Sequence, residues 1–237
     1  MQVLDRNFTP MYDQWQQAMK EDTQPRGISH AGRSLLPVIA GIWVVLIGGA
    51  FTALLGYHNI PGQRSDHGMV WPINHSIKLD TQRPNLMVFI HPQCPCSVAT
   101  LNELARIQAV CGVRLNTQVI FYSPTEMQWE DTSKVRQALA IPNVHITNDA
   151  DGQLAQQFGA LTSGHTMLYS GDGRRIFSGG ITPTRGHEGD NLGRKSIVQY
   201  VLDGETDCDR TNVFGCPILV TPSEVVINSR GSEHGVK

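Results

Sequence analysis

Charge is what this sequence has least of. Asp, Glu, Lys and Arg make up 17% of its 237 residues, where about a quarter is usual. The two signs nearly cancel, with 19 Lys and Arg against 21 Asp and Glu and a net charge of −2. No cationic excess is available to neutralise phosphates, which excludes recognition of nucleic acid by charge. Low charge beside a 40% hydrophobic class argues against a disordered chain and for one partly inside a membrane. Internal repeats are absent. Gly 23 and Pro 13 make the chain loop-rich but far from collagen or low complexity. The length allows one or two domains. Cysteine occurs five times, and an odd count leaves at least one thiol unpaired within a monomer or all five used otherwise.

The longest stretch without charge decides the address. Leu35 to Tyr57 reads LLPVIAGIWVVLIGGAFTALLGY, 23 residues with no Asp, Glu, Lys, Arg or His. As a helix it rises about 34 Å, enough for a hydrocarbon core of about 30 Å. Tyr57 stands where an interfacial anchor would. Gly48, Gly49 and Gly56 are tolerable in a membrane helix, and Pro37 falls in the first turn, where its missing N–H costs little. A core helix is rarely so long and uncharged. A cleaved signal peptide begins near residue 1, whereas 34 residues precede this run. The segment is therefore read as an uncleaved anchor. Lys20, Arg26 and Arg33 lie before it and only Arg64 as near behind, so the positive-inside rule puts the N-terminus in the cytoplasm. The expected organisation is a cytoplasmic segment 1–34, a transmembrane helix 35–57, a linker and domain start 58–85, a domain 86–205 and a C-terminal extension 206–237. The domain would face the periplasm from a single-pass inner-membrane protein, a compartment where disulfides persist.

Beyond the anchor the pattern alternates. A short strand is expected near 73–79 and a buried strand over 86–91 (LMVFIH). Leu101, Leu104, Ile107 and Cys111 recur at helical spacing and predict a helix over 97–111. Strands are expected at 114–122 and 143–147, and helices at 132–140 and 152–158, the last closed by Gly159. Ser-Gly-Asp-Gly joins strands 165–169 and 174–179 as a hairpin, and a final helix covers 191–202. The order βαβαβαββα implies an α/β fold, a mixed sheet with helices on both faces.

The chemistry is expected at the first strand-to-helix turn, His91-Pro92-Gln93-Cys94-Pro95-Cys96-Ser97. Pro95 suits the first helical position, which puts Cys94 at the cap and Cys96 in the first turn. Free N–H groups and the helix dipole favour an anion there. A thiolate so placed has a lowered pKa and is both nucleophile and metal ligand.

With this turn the chain resembles the thioredoxin-like superfamily over about residues 70–205. The strand, cysteine turn and helix of Met87–Cys111 carry the resemblance. So does Asp151-Gly152-Gln153-Leu154-Ala155-Gln156-Gln157-Phe158-Gly159-Ala160, followed by Leu168-Tyr169-Ser170-Gly171-Asp172-Gly173. This second half is similar to membrane-anchored, periplasm-facing members such as cytochrome-maturation thioredoxins. The resemblance implies a thioredoxin-like mixed sheet and thiol–disulfide exchange with protein thiols and disulfides, without a required cofactor. Cys94 would attack or receive a disulfide, Cys96 would resolve it, and His91 would tune the thiolate.

The departures are specific. The family's motif is Cys-x-x-Cys, and the alignment puts Ser97, not Cys96, on its second cysteine. A Cys-Pro-Cys bridge would close a small strained ring, more oxidising and more easily reduced. The family's cis-proline falls at Gly164 or His165. A peroxidase's Thr-x-x-Cys context is missing. A rival reading follows from the histidines: Cys94, Cys96, His165 and His187 as ligands of Cu(I) or Zn(II) in a metal chaperone. A non-catalytic interaction module of the same fold is a third reading.

The remaining candidates read plainly. Cys111 lies on the apolar stripe and is a core cysteine. Cys208 and Cys216 flank DRTNVFG and are a candidate structural disulfide, with one of them alternatively a resolving partner for Cys94. His30, His58, His67, His75, His145 and His234 are surface residues. Glu188 and Asp190 belong to a solvated Gly-rich loop, and Arg185 is at most a steering charge for an anionic partner.

Overall fold

The structure is a computed structural model that describes residues 14, 15, 17, 30–63, 69–73, 76–124 and 132–218. Lys20, Arg26, Arg64, His67, His75, His234 and the end of the C-terminal extension lie outside the described residues. Two compact units are present, 1–54 and 55–237.

The first unit is dominated by helix α1 (His30–His58), whose 29 residues include Pro37. From Leu35 to Tyr57 every residue is exposed. An apolar helix exposed on all sides is the reverse of a core helix, which would bury such side chains. Among the described residues this one helix is long and apolar enough to cross a membrane, over Leu35–His58.

The second unit is a thioredoxin-like α/β fold. Strand β1 (Asn85–Ile90) is buried at every residue, as a continuous apolar run flanked on both faces must be. It pairs in parallel with β2 (Asn116–Ser123) on one side. Its other side pairs antiparallel with β4 (His165–Tyr169). Strands β3 (Val144–Ala150) and β5 (Arg175–Gly179) complete the sheet in the order β3-β2-β1-β4-β5.

Side-chain alternation along β1 builds both cores. Leu86, Val88 and Ile90 face the cluster holding Leu101, Leu104 and Ile107 of α2 (Ser97–Cys111), Ala138 of α3 (Ser133–Leu139) and Ile197 of α5 (Leu192–Asp203). Met87 and Phe89 face the other cluster, with Leu154 and Phe158 of α4 (Gln153–Phe158), Tyr169, Ile77 and Ile218. The expected order of strands and helices is the observed one.

Two segments differ from the sequence expectation. No strand forms over the described residues of 73–79. Val70 instead bridges Arg174, and the Trp71 amide donates to the Gly173 carbonyl at 2.7 Å. Trp71 then sets its ring edge-on to Phe158 and Tyr169. Residues 209–218, to which the sequence pattern assigns no element, pack on the domain. They run as a strap, bridging Ser178 through Arg210 and Thr162 through Pro217, and they bury Val213 and Ile218. The strap has no strand periodicity because it alternates between β5 and the loop before β4.

Candidate active site

The turn after β1 is wound by backbone bonds. The Cys94 amide donates to the His91 carbonyl at 3.0 Å, and the Ser97 amide to the Cys94 carbonyl at 3.2 Å. Helix α2 therefore starts at Ser97, with Cys96 at its cap. This lies two residues beyond the start that Pro95 predicts, because Pro95 sits inside the three-residue turn closed on Cys94. Cys94 stands before the cap, so its environment comes chiefly from specific donors.

A serine fastens the turn to the sheet. Ser163 Oγ accepts the His91 amide at 2.8 Å and lies 2.9 Å from Ser97 Oγ. It belongs to the loop before β4. Gly164, next to it, has φ of 90° and donates its N–H to the Phe89 carbonyl at 2.7 Å. A side chain there would be strained and would meet Thr100 Oγ1 at 3.0 Å.

From the other side comes the strap. The Ser163 amide donates to the Cys216 carbonyl at 2.8 Å, and the Ile218 amide to the Leu161 carbonyl at 2.9 Å. Gly215 lies so close to Ser163 that a Cβ would stand 1.9 Å from its carbonyl oxygen. This docking aims the Cys216 amide at Cys94 Sγ, 3.4 Å away. Arg185 closes the arrangement by donating to the Gly215 carbonyl at 2.6 Å and the Ile60 carbonyl at 3.2 Å. Gly186 packs beside Cys96, within 3.8 Å of its Sγ for a Cβ.

The three thiols are tuned apart. Cys94 is 1% exposed, and burial pushes its thiol up. The Cys216 thiol and amide, the Cys96 amide and the Ser97 hydroxyl outweigh that by hydrogen bonding, and hold it below its ordinary value. Cys96 is pushed up by burial, by the negative charge on Cys94 and by hydrogen bonding to it, against the pull of Arg185. Cys216 is pushed up to about 12, first by burial, then by its bond to Cys94 and the charges of Cys94 and Cys96, again against Arg185. One acidic thiol thus faces two reluctant ones beside a single cation. Such an arrangement makes one nucleophile and holds two thiols in reserve.

His91 contributes backbone rather than charge. Its ring stacks on Tyr122, with centroids 5.4 Å apart. Its Nδ1 accepts the Gln93 amide at 3.2 Å, which fixes the neutral tautomer with the proton on Nε2. Burial, then the charge of Lys134, holds its pKa below the ordinary value. His165 is buried in β4 with Nε2 2.9 Å from Ser178 Oγ. His187 is exposed, its Nδ1 2.8 Å from the Arg185 carbonyl and its ring edge-on to His58.

Among the described residues no group of three His, Cys, Asp or Glu is arranged to hold a metal ion, so Cys94, Cys96, His165 and His187 do not assemble as a ligand set. Cys111 is in the core, as its stripe implies. The Cys208–Cys216 pairing is not present. All five cysteines are free thiols; the Cys208 thiol donates to the Arg210 carbonyl, and Cys216 is engaged with Cys94.

Sequence reasoning missed Ser163, the site role of Arg185 and the anchoring of the Arg185 loop. Glu188 is exposed, as its Gly-rich loop implies, and is paired with Arg106 at 2.9 Å. The buried Glu103 accepts from Arg106 and Arg194, each at 2.5 Å, and from the Gly189 amide at 2.9 Å. A glutamate on the buried face of a helix was the available signal, since a buried carboxylate demands partners.

No family model matches the sequence, and no curated protein matches it. Among solved structures, a conserved protein from Geobacillus kaustophilus is similar with a TM-score of 0.50 and 17% identity, covering 69% of this chain and 93% of that one. A hypothetical protein from Sinorhizobium meliloti has a TM-score of 0.51 and 20% identity, covering 69% and 96%. A secreted Mycobacterium tuberculosis disulfide oxidoreductase homologous to E. coli DsbE matches at 0.35 and 17% identity, covering 52% and 83%. At these identities the likeness concerns fold.

Proposed function

We propose that this chain is a membrane-anchored thiol–disulfide exchange protein whose reacting thiol is Cys94. What carries the reading is a backbone donor aimed at one buried sulfur. The Cys216 amide lies 3.4 Å from Cys94 Sγ, and hydrogen bonding holds the thiol below its ordinary value against burial. A buried structural thiol has its pKa raised; one held down despite burial has the character of a nucleophile. Cys96 is the second thiol of the motif, and His91 positions the turn through its carbonyl. The partner is a disulfide or dithiol of another protein. Cys94 attacks one sulfur of that bond, a mixed disulfide forms, and the other sulfur leaves as a thiolate.

The apolar helix over 35–58 would hold the protein in the inner membrane. Lys20, Arg26 and Arg33 before it keep the N-terminus cytoplasmic, and the domain then works outside, where disulfides persist.

The test is exchange by the full chain in detergent against a protein disulfide substrate. Cys94→Ser should abolish exchange, whereas His165→Ala should change the rate less than threefold. Exchange that survives Cys94→Ser would sink the reading.

A further inference from the structure

We infer that the intramolecular partner of Cys94 is Cys216, carried in by the C-terminal strap, and that the working disulfide joins these two residues across 122 positions of sequence. The inference rests on the exchange reading above and goes beyond it, since it moves the resolving role from Cys96 to a segment outside the cysteine motif.

Three observations carry it. The first is contact: the Cys216 amide is on Cys94 Sγ. The second is the effort spent in holding Cys216 there. The Ser163 amide holds the Cys216 carbonyl, Arg185 holds that of Gly215, and Gly215 touches Ser163 with no room for a side chain. Ser163 is also the residue that fastens the cysteine turn through His91 and Ser97. Strap and turn are thus registered on one side chain. The third is the alternative. A Cys94–Cys96 bridge must close over Pro95 within the turn, where the proline fixes φ and stiffens an already small ring. The Cys96 backbone is wound into the helix start, at the cap position with helical φ of −68°.

The step balances. Cys94 thiolate attacks a partner disulfide, giving Cys94–S–S–partner and releasing one partner thiolate. Cys216 then gives its proton to that departing thiolate and attacks Cys94 Sγ. The mixed disulfide breaks, the second partner sulfur leaves as thiolate, and Cys94–S–S–Cys216 remains. The partner gains two electrons and the Cys94–Cys216 pair loses them. The sequence of events has a built-in order. Burial holds Cys216 protonated first, and while Cys94 is a thiolate its hydrogen bond and charge add to that. Once Cys94 is tied up in the mixed disulfide, that added restraint is gone and Arg185 still favours the thiolate, so Cys216 becomes easier to ionise at the moment it must attack.

The test is disulfide mapping of the full chain in detergent, equilibrated across glutathione buffers with metal chelated, by alkylation and mass spectrometry. The wild type and Cys96→Ser should both give a cross-link between the Cys94 and Cys216 peptides. Cys216→Ala and Cys216→Ser should each accumulate glutathione on Cys94 at least tenfold above wild type. A bridge confined to the peptide of Cys94 and Cys96, unchanged by loss of Cys216, would overturn the inference and leave the exchange reading intact. If Cys94 takes neither glutathione nor any protein partner at any potential, both fail. The wild-type map decides between these outcomes even if a variant does not fold.

Discussion

At the scale of single residues, the site is a problem of where one negative charge rests. Cys94 has the acidic thiol despite its burial, because its sulfur accepts from the strap and from the head of α2. The sign of the pH response follows. Cys94 should react with iodoacetamide with an inflection below the ordinary thiol value of 9.0. Removing the Cys216 thiol by Cys216→Ala takes away its largest side-chain donor and should move that inflection upward. An inflection in the variant equal to or below wild type would refute this account. The two shifts act oppositely on stability. The depressed value of Cys94 stabilises the fold above the unfolded thiol value, and this is lost as pH falls through the native one. The raised value of Cys216 stabilises it below the unfolded value, and this is lost as pH rises toward about 12.

Residues also show what a sequence carries and what it hides. Cys94 was legible because an apolar run, a proline-bearing turn and a helical stripe bracket it within one short window. Its partner was legible only as an alternative. Cys216 sits in a stretch without period, and the pairing with Cys208 was the more natural reading of two nearby cysteines. Arg185 was hidden for a related reason: a Gly-rich loop reads as solvated unless something buried holds it. His91 illustrates the converse, since its place beside the cysteines suggested charge and its surroundings keep it neutral.

At the scale of elements, the feature that organises the site is a buried carboxylate. Glu103 on α2 has a fully buried side chain and binds Arg106 on its own helix, Arg194 on α5 and the Gly189 amide of the loop. Asn191 Nδ2 adds a contact at 3.4 Å and caps α5 by accepting the Arg194 amide at 2.7 Å. One side chain therefore joins two helices to the loop that bears Arg185. Glu103→Ala would leave Arg194, itself only 23% exposed, without its buried partner. Breaking such a pair costs about 3–5 kcal/mol, here toward the lower figure because Arg106 is half-exposed. Chemical denaturation should show the loss as a lower midpoint with unchanged slope. Exchange should fall as well, since the loop positions Arg185. A midpoint within the error of wild type would remove Glu103 from this role. The strands and helices around it were legible from hydrophobic period alone, because their burial is repetitive. The strap and the Trp71 segment were not, because they add to the sheet by isolated bridges and one aromatic contact at a time.

At the scale of the whole molecule, the choice of compartment bears on the chemistry. A buried acidic thiol with a second thiol on its sulfur is useful where disulfides form and persist, and a reducing cytosol would keep the pair as thiols. The apolar helix and the basic residues before it offer the route to such a compartment, and a native residue reports on it. Cys208 and Cys216 are partly exposed, while Cys94, Cys96 and Cys111 are buried. Cys216 is held as a thiol by burial and by Cys94, so a maleimide that cannot cross membranes should label Cys208 the faster in intact spheroplasts, and Cys208→Ala should lose the fast-labelling fraction. Labelling that appears only after lysis would place the domain on the cytoplasmic side. The basic residues would then have misled the assignment of orientation, and Cys94 would have to work against the cytosolic thiol pool.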